Sequence, residues 1–247
     1  MLDYGPFCYL DVEKTGSTFI REFLRRHVAI PEVNGSKHKT VGWSFGEPKD
    51  RFFFISCREP LDSYVSLYRF GLDGRGGMYH RITAKPGMDN VYDGSPEGFE
   101  RWLRFVLDPN SYGSFVHSYG RRQARIYGLM THRYLRLSLR FGDMRCRMIG
   151  TRKQMLATYR ANKLHDAIVR NESLTEDLAV VLRSHLRPYL RDADAALAEL
   201  SGKPERLNAS TPASEFLAAF EDQQLLQLLV EREWFYYDQL GYERPAI

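Results

Sequence analysis

Phe7-Cys-Tyr-Leu-Asp-Val-Glu-Lys14-Thr15-Gly16-Ser17-Thr18-Phe19-Ile20 passes from an apolar run through a small, polar, glycine-bearing turn and straight into a stretch with helical spacing. A strand, a tight loop and a helix N-terminus in that order build a phosphate-holding loop. Backbone N–H groups of the loop and the first helical turn point at an anion, the helix dipole favours negative charge there, and Lys14 adds a full positive charge. Ser17 and Thr18 bring hydroxyls to the same place. The loop departs from the nucleoside-triphosphate pattern G-x-x-x-x-G-K-[ST], because here the lysine precedes the glycine. That points to a different anionic ligand. Taken alone, the same letters also suit a solvent-facing turn ahead of a helix N-cap.

Further along, Arg51-Phe-Phe-Phe-Ile-Ser-Cys57 is a short apolar run of the kind buried on both faces of a parallel sheet. It ends in Arg58-Glu59-Pro60, and the proline opens the next helix. An arginine at the carboxyl end of a buried strand lies where α/β sheets bind their ligands. Ser66 follows Arg58 by eight residues, about two helical turns, so strand end and helix could together hold a further phosphate. The alternative is an arginine paired with Glu59 or Asp62 at a helix start.

These two blocks resemble the sulfotransferase family that uses 3′-phosphoadenosine-5′-phosphosulfate (PAPS), especially its carbohydrate branch. In that family a Lys-Thr-Gly-Ser-Thr loop holds the 5′-phosphosulfate, and an Arg-x-Pro-Leu-x-x-x-x-Ser segment, matched here by Arg58 to Ser66, holds the 3′-phosphate. Ala167-Ile-Val-Arg-Asn-Glu-Ser-Leu-Thr-Glu-Asp-Leu178 is similar to the family's later strand-to-helix element. Leu207-Asn-Ala-Ser210 is similar to its Asn-x-Ser segment, and Glu233 to Tyr242 to its closing helix. The chain departs from the family at Glu13, and its long middle section matches nothing in the pattern. The resemblance implies an α/β fold, a P-loop NTPase-like three-layer sandwich with a central parallel sheet flanked by helices. It also implies PAPS as donor, no metal, and a hydroxyl-bearing acceptor, most plausibly a carbohydrate.

The composition agrees. At 247 residues with 43% hydrophobic content, the chain can bury one sizeable core, so a single domain over 1–247 is expected, with a loop and helical insertion around 71–150 shaping the acceptor site. No apolar run approaches the ~20 residues that span a bilayer, and no charged-then-apolar leader is visible, so a cytoplasmic protein without a transmembrane segment is expected. The three cysteines, Cys8, Cys57 and Cys146, lack metal-ligand spacing, and Cys8 and Cys57 fall in apolar runs where a thiol acts as a small hydrophobe. Periodicity predicts strands at Phe7–Val12, Phe52–Cys57 and Asp166–Arg170. Helices are expected at Ser17–His27, from Leu61, near Pro96–Leu107 with Phe99, Trp102, Leu103 and Val106 inward, at Thr175–His185, and across Ser214–Tyr237. The glycine-rich stretch Gly71–Pro96 reads as a mobile surface segment, a candidate lid.

Charge is uneven. Arg121 to Lys153 holds ten basic residues against the single acid Asp143, so this window carries +9 and the rest of the chain sums to −5 within the total of +4. Such a window suits an anionic nucleotide, a polyanionic glycan or nucleic acid, the last helped by the interleaved Tyr127 and Tyr134. It equally suits a solvated helical face with arginine stems over apolar neighbours. By the resemblance, Arg152 and Lys153 are candidates to reach the nucleotide's phosphates, and nucleic acid is not the expected partner.

Sulfuryl transfer needs in-line placement of the acceptor, stabilisation of developing charge, and a base. The resemblance assigns Lys14 to the bridging oxygen, Thr15, Gly16, Ser17 and Thr18 to the phosphate and sulfonyl oxygens, and Arg58 and Ser66 to the 3′-phosphate. His38, in Gly35-Ser-Lys-His-Lys-Thr40 between the two donor blocks, is the first candidate base, because histidine titrates near neutrality. His80, His117, His132 and Glu47 are alternatives, whereas His27 ends the first helix and suits capping. Two other readings compete: a kinase using ATP and magnesium, and a nonenzymatic polyanion- or nucleic-acid-binding module.

Overall fold

The computed structural model describes residues 1–42, 45, 50–111, 118–202 and 223–245. The chain is α/β. Strands β1 (Leu2–Asp3), β2 (Phe7–Leu10), β3 (Phe52–Cys57) and β4 (Ala167–Arg170) form one open sheet in that order. The last three are parallel, with Leu10 opposite Ile55 and Cys57 opposite Arg170. β1 runs antiparallel to β2, with Leu2 opposite Tyr9, so the sheet is mixed and not purely parallel as expected. A two-residue strand leaves no periodic signal, and an antiparallel neighbour needs only the short turn at Tyr4–Pro6, which Gly5 makes at φ 90°. β2 ends two residues earlier than expected, because Asp11 and Val12 leave the sheet to make the loop contacts described below.

All of β2 is buried, as are the five residues Phe53–Cys57 of β3. Such continuous apolar runs suit strands covered on both faces. Helix α1 (Ser17–His27) has the predicted bounds and turns Ile20, Phe23 and Leu24 into a core with Tyr9, Phe54 and Val169. Leu178, Val181, Leu182 and Leu186 join the same core. They come from a helix expected as one piece over Thr175–His185. It begins at Leu174 with Ser173 as N-cap, runs regularly to Val181, and passes through a π-turn at Leu182–Leu186 into a 3₁₀ turn at Arg187–Tyr189. Pro188 lies within that last turn, where a regular helix cannot continue. The His27 ring lies tilted against Phe23 at 4.4 Å, and its Nε2 lies 2.7 Å from Glu199 Oε2.

In chain order the other helices are α2 (Pro60–Leu72), α3 (Gly77–Thr83), α4 (Pro96–Leu107), α5 (Arg121–Ala124), α6 (Leu129–Ser138), α7 (Gly142–Met148), α8 (Arg152–Asn162), α9 (Leu174–Val181), α10 (Ala193–Ser201), α11 (Gln223–Arg232) and α12 (Trp234–Gln239). The chain forms two compact units. The first gathers Met1–Arg58, Arg136–Gly142 and the chain from Asn162 through α10, and holds the sheet. The second gathers Glu59–Leu135, Asp143–Ala161 and helices α11 and α12.

Within the second unit, α4 turns Phe99, Trp102, Leu103 and Val106 inward as predicted. Tyr68 lies 5.3 Å from Tyr92 and 5.5 Å from Trp102, whose Nε1 donates to Tyr92 Oη at 2.7 Å. Val91, Met78 and Ile82 are buried as well. The stretch Gly71–Pro96 is therefore packed by its own apolar and aromatic side chains rather than lying loose as its glycine content suggested. Glu233 is fully buried at the start of α12. Its carboxylate accepts from Tyr64 Oη (2.6 Å), the backbone N–H groups of Met130 (3.0 Å) and Thr131 (2.9 Å), and Thr131 Oγ1 (2.7 Å), so it caps α6. Gly128 leaves the room this carboxylate needs.

All three cysteines are buried, and burial pushes the Cys8 thiol well above its ordinary value. Among the described residues, no helix is long and apolar enough to cross a membrane. Glu47, His117, Leu207–Ser210 and the start of the Ser214–Tyr237 helix lie outside the described residues.

Candidate functional site

Parallel strands deliver their carboxyl ends to one edge, and in the first unit that edge collects the chain's most distinctive residues. After β2 come Asp11 to Gly16. Lys14 is one of four non-glycine residues with positive φ among the described residues, at 68°, and Gly16 follows in the left-handed region at φ 78° as the N-cap of α1. Gly16, the N-cap of α1, brings no capping side chain of its own, and the first turn of the helix contains no acid. The backbone N–H groups of Ser17, Thr18 and Phe19 have no partner within the helix by helical geometry, while Ile20 N–H returns to Gly16 O at 3.3 Å. Lys14, Gly16 and Ser17 are half-buried and Thr18 is exposed. A left-handed turn ahead of a helix N-terminus directs donors and dipole to one place, where an anion is stabilised.

The underside of the loop is fixed by a line of hydroxyls. Thr15 Oγ1 donates to Val12 O at 2.8 Å and lies 2.5 Å from Ser56 Oγ, which lies 2.6 Å from Tyr9 Oη. Each hydroxyl has one proton, so the donors run Tyr9 to Ser56 to Thr15 to Val12 O. Burial pushes the Tyr9 phenol far above its ordinary value, which keeps that donor protonated. The Thr15 side chain anchors the loop to Ser56 of β3 and, through it, to Tyr9 of β2.

Gly16 is needed twice over. Its φ suits glycine, and a Cβ there would strike Leu174 Cδ1 and approach Asn171 Nδ2 to 2.8 Å. Asn171 follows β4, and its N–H donates to Cys57 O at 2.8 Å, extending the β3–β4 ladder by one residue. Arg58 thus leaves β3 beside the turn that carries Arg170 and Asn171. Asp177 Oδ2 accepts from Arg170 N–H at 2.8 Å, tying that turn to α9.

His38 belongs to the same edge. It has φ 53°, its backbone N–H donates to Asp11 Oδ1 at 3.0 Å, and its Nδ1 lies 2.6 Å from Asp11 O. The Asp11 carboxylate is fully buried and is held by Arg21 at 2.8 Å. Arg136 donates to His38 O at 2.9 Å. The segment carrying His38 is therefore pinned directly to the end of β2, three residues before Lys14.

No protein-family model, curated protein or solved structure matches the chain. Its chemistry is argued from its own residues.

The first unit brings together Lys14, Thr15, Gly16, Ser17, Thr18, His38 and Arg58 at one sheet edge. Ser66, in α2, and Arg152 and Lys153, at the head of α8, belong to the second unit. There Arg152 lies over the Trp234 ring at 4.9 Å and donates to Glu231 O at 3.3 Å. Glu59, the alternative partner for Arg58, caps α2 by accepting from Asp62 N–H at 2.8 Å and also accepts from Tyr237 Oη at 3.1 Å. Sequence reasoning assigned no role to Asp11 or Ser56, and it read Arg170 and Asn171 only as part of a strand-to-helix element; Asp11 left a trace as a lone acid inside an apolar run.

His132 is buried, stacked on Tyr119 at 4.6 Å and set 3.4 Å from Ser118 Oγ. His80 is exposed at the surface of α3. Among the described residues, no group of three or more His, Cys, Asp or Glu is placed to hold a metal ion.

Proposed function

We propose that this chain is a PAPS-dependent sulfotransferase with a three-layer, P-loop-type α/β fold, acting in the cytoplasm on a hydroxyl, most plausibly of a carbohydrate. The observation that carries the reading is the left-handed turn at Lys14 and Gly16 set directly ahead of the N-terminus of α1, whose cap is a glycine and whose first turn contains no acid. Donors from that turn suit a 5′-phosphosulfate. Arg58, one residue beyond β3, suits a second phosphate on the same ligand, which ATP lacks. The donor, when bound, supplies an activated sulfuryl group.

In this reading the chain's own residues do three things. The Ser17, Thr18 and Phe19 N–H groups bind and orient the anion. Lys14 offsets charge that grows on the bridging oxygen as the sulfur–oxygen bond breaks. His38 takes the acceptor's hydroxyl proton at Nε2 as the new oxygen–sulfur bond forms. Asp11 O accepts only, so Nδ1 of the neutral ring carries the proton and Nε2 the lone pair.

Calorimetric titration with adenosine 3′,5′-bisphosphate, ADP, and ATP with magnesium tests the proposal. Selective, metal-independent binding of the bisphosphate is expected. Preference for ATP with magnesium would move the chain to the kinases, and no binding of any of the three would remove the donor site.

A further inference from the structure

The arginine-rich window gains a definite surface in the second unit. Gln123 Nε2 of α5 donates to Arg147 O at 3.1 Å and lies 3.4 Å from Ile149 O, so α5 is fastened to the end of α7. The Arg122 guanidinium lies against Gly150, in the space a Cβ would fill. Arg121, Arg122, Arg125, Arg147, Arg152 and Lys153 are all exposed around this junction. Among the described residues, no carboxylate pairs with Arg122, Arg125, Arg147, Arg152 or Lys153. Asp143 accepts from Ser118 Oγ at 3.0 Å, and the Glu231 carbonyl accepts from Arg152 at 3.3 Å.

The same junction exposes apolar surface. Met144 and Met148 are one turn apart on α7, 48% and 69% exposed, while Cys146 and Ile149 turn inward. They are two of only five large hydrophobic side chains exposed among the described residues. The outer face of α7 thus reads Met144, Arg147, Met148.

Cations alone suit any polyanion. The tyrosines of the window, Tyr127 and Tyr134, are fully buried, so neither offers bases a face to stack on. Two flexible apolar side chains on the face that carries Arg147, on a helix fastened to α5 with its arginines, match a surface that presents negative charge in front of hydrocarbon. We propose that the α5–α7–α8 junction docks reversibly on an anionic bilayer surface, Met144 and Met148 entering the headgroup boundary while Arg122, Arg125 and Arg147 meet lipid phosphates and carboxylates.

Co-sedimentation of the full chain with phosphatidylcholine vesicles, with and without phosphatidylserine, tests this. Partition should be at least roughly tenfold greater onto the anionic vesicles and should fall steeply with added salt. Arg122→Ala and Arg147→Ala should each lower it about fivefold. Met144→Ser with Met148→Ser should lower it by a similar factor at unchanged net charge, whereas Met148→Leu should preserve it. Equal sedimentation with both vesicle types, or with neither, would overturn the proposal. So would full retention of vesicle binding in the double methionine variant, or competition by heparin or duplex DNA that depends on the arginines alone. The last pattern would assign the surface to a soluble polyanion.

Discussion

The main-chain carbonyl of Asp11 accepts a hydrogen bond from Nδ1 of His38 at 2.6 Å, and the Asp11 carboxylate accepts from the His38 backbone N–H at 3.0 Å. One residue at the end of β2 therefore fixes both the backbone and the ring of the candidate base. His38→Asn separates the two roles. Asparagine tolerates positive φ and its side-chain N–H can replace Nδ1–H, but it has nothing basic where Nε2 stood. Release of adenosine 3′,5′-bisphosphate from PAPS, with an acceptor in place, should slow by at least about 100-fold. Affinity for the bisphosphate, read by calorimetry, should stay within a factor of about two, since an unaltered binding loop leaves the ground-state contacts intact. An equal loss of rate and affinity would move His38 from base to structural prop.

Lys14 combines a charge with backbone strain, and Lys14→Gly divides them. A non-glycine residue in the left-handed region costs about 1 kcal/mol, which glycine avoids. The folded protein should therefore be no less stable in urea, despite the extra entropy glycine brings to the unfolded chain. Transfer should nonetheless fall by more than about 100-fold, because the cation that meets growing charge is gone. Lys14→Ala, which keeps the strain and loses the charge, should show the same loss of rate. If Lys14→Gly kept its rate, the lysine would be a turn residue only.

What the sequence revealed follows from how local each signal is. α1 and β3 have the bounds their apolar spacing predicts, because Ile20, Phe23 and Leu24 recur at helical period and Phe53 to Cys57 form an unbroken buried run. The loop between Leu10 and Ser17 was legible as a glycine turn ahead of a helix N-terminus for the same reason, since its residues are neighbours in the chain. The parts that escaped depend on distant partners. Nothing near Thr15 shows that its hydroxyl is taken by Ser56, 41 residues away, and nothing near Gly16 shows that Leu174 presses on it. Gly71–Pro96 misled through composition: Tyr92 and Val91 anchor it, but their partner Tyr68 lies upstream in α2.

Gly16→Ala tests the meeting of the loop with the β4–α9 turn. The added methyl would sit in the space of Leu174 and 2.8 Å from Asn171 Nδ2, on a backbone at φ 78°. Steric overlap in a packed site and the left-handed conformation act together, so a loss of about 2–4 kcal/mol is expected in urea unfolding. Gly16→Ala combined with Leu174→Ala should not be additive. Shortening Leu174 makes room for the methyl, so the double variant should lie closer to Leu174→Ala than the sum of the two changes. Strict additivity would show that the two residues do not meet.

His165 supplies an acid sensitivity with a defined sign. It is 5% exposed in the first unit, and burial, aided by the nearby Lys163, lowers its pKa from 6.5 to about 4. A depressed histidine pKa means that between these values the unfolded chain binds a proton the folded chain refuses. Stability attributable to His165 is therefore complete above pH 6.5 and is lost progressively as the pH falls toward 4, by on the order of 3 kcal/mol in all. Urea midpoints measured across this window should decline. In His165→Gln the decline should be shallower, because no group at that position titrates there, although the variant should be less stable than the parent at pH 8. Parallel slopes for variant and parent would show that another group sets the acid limit, and would place the His165 proton within reach of solvent.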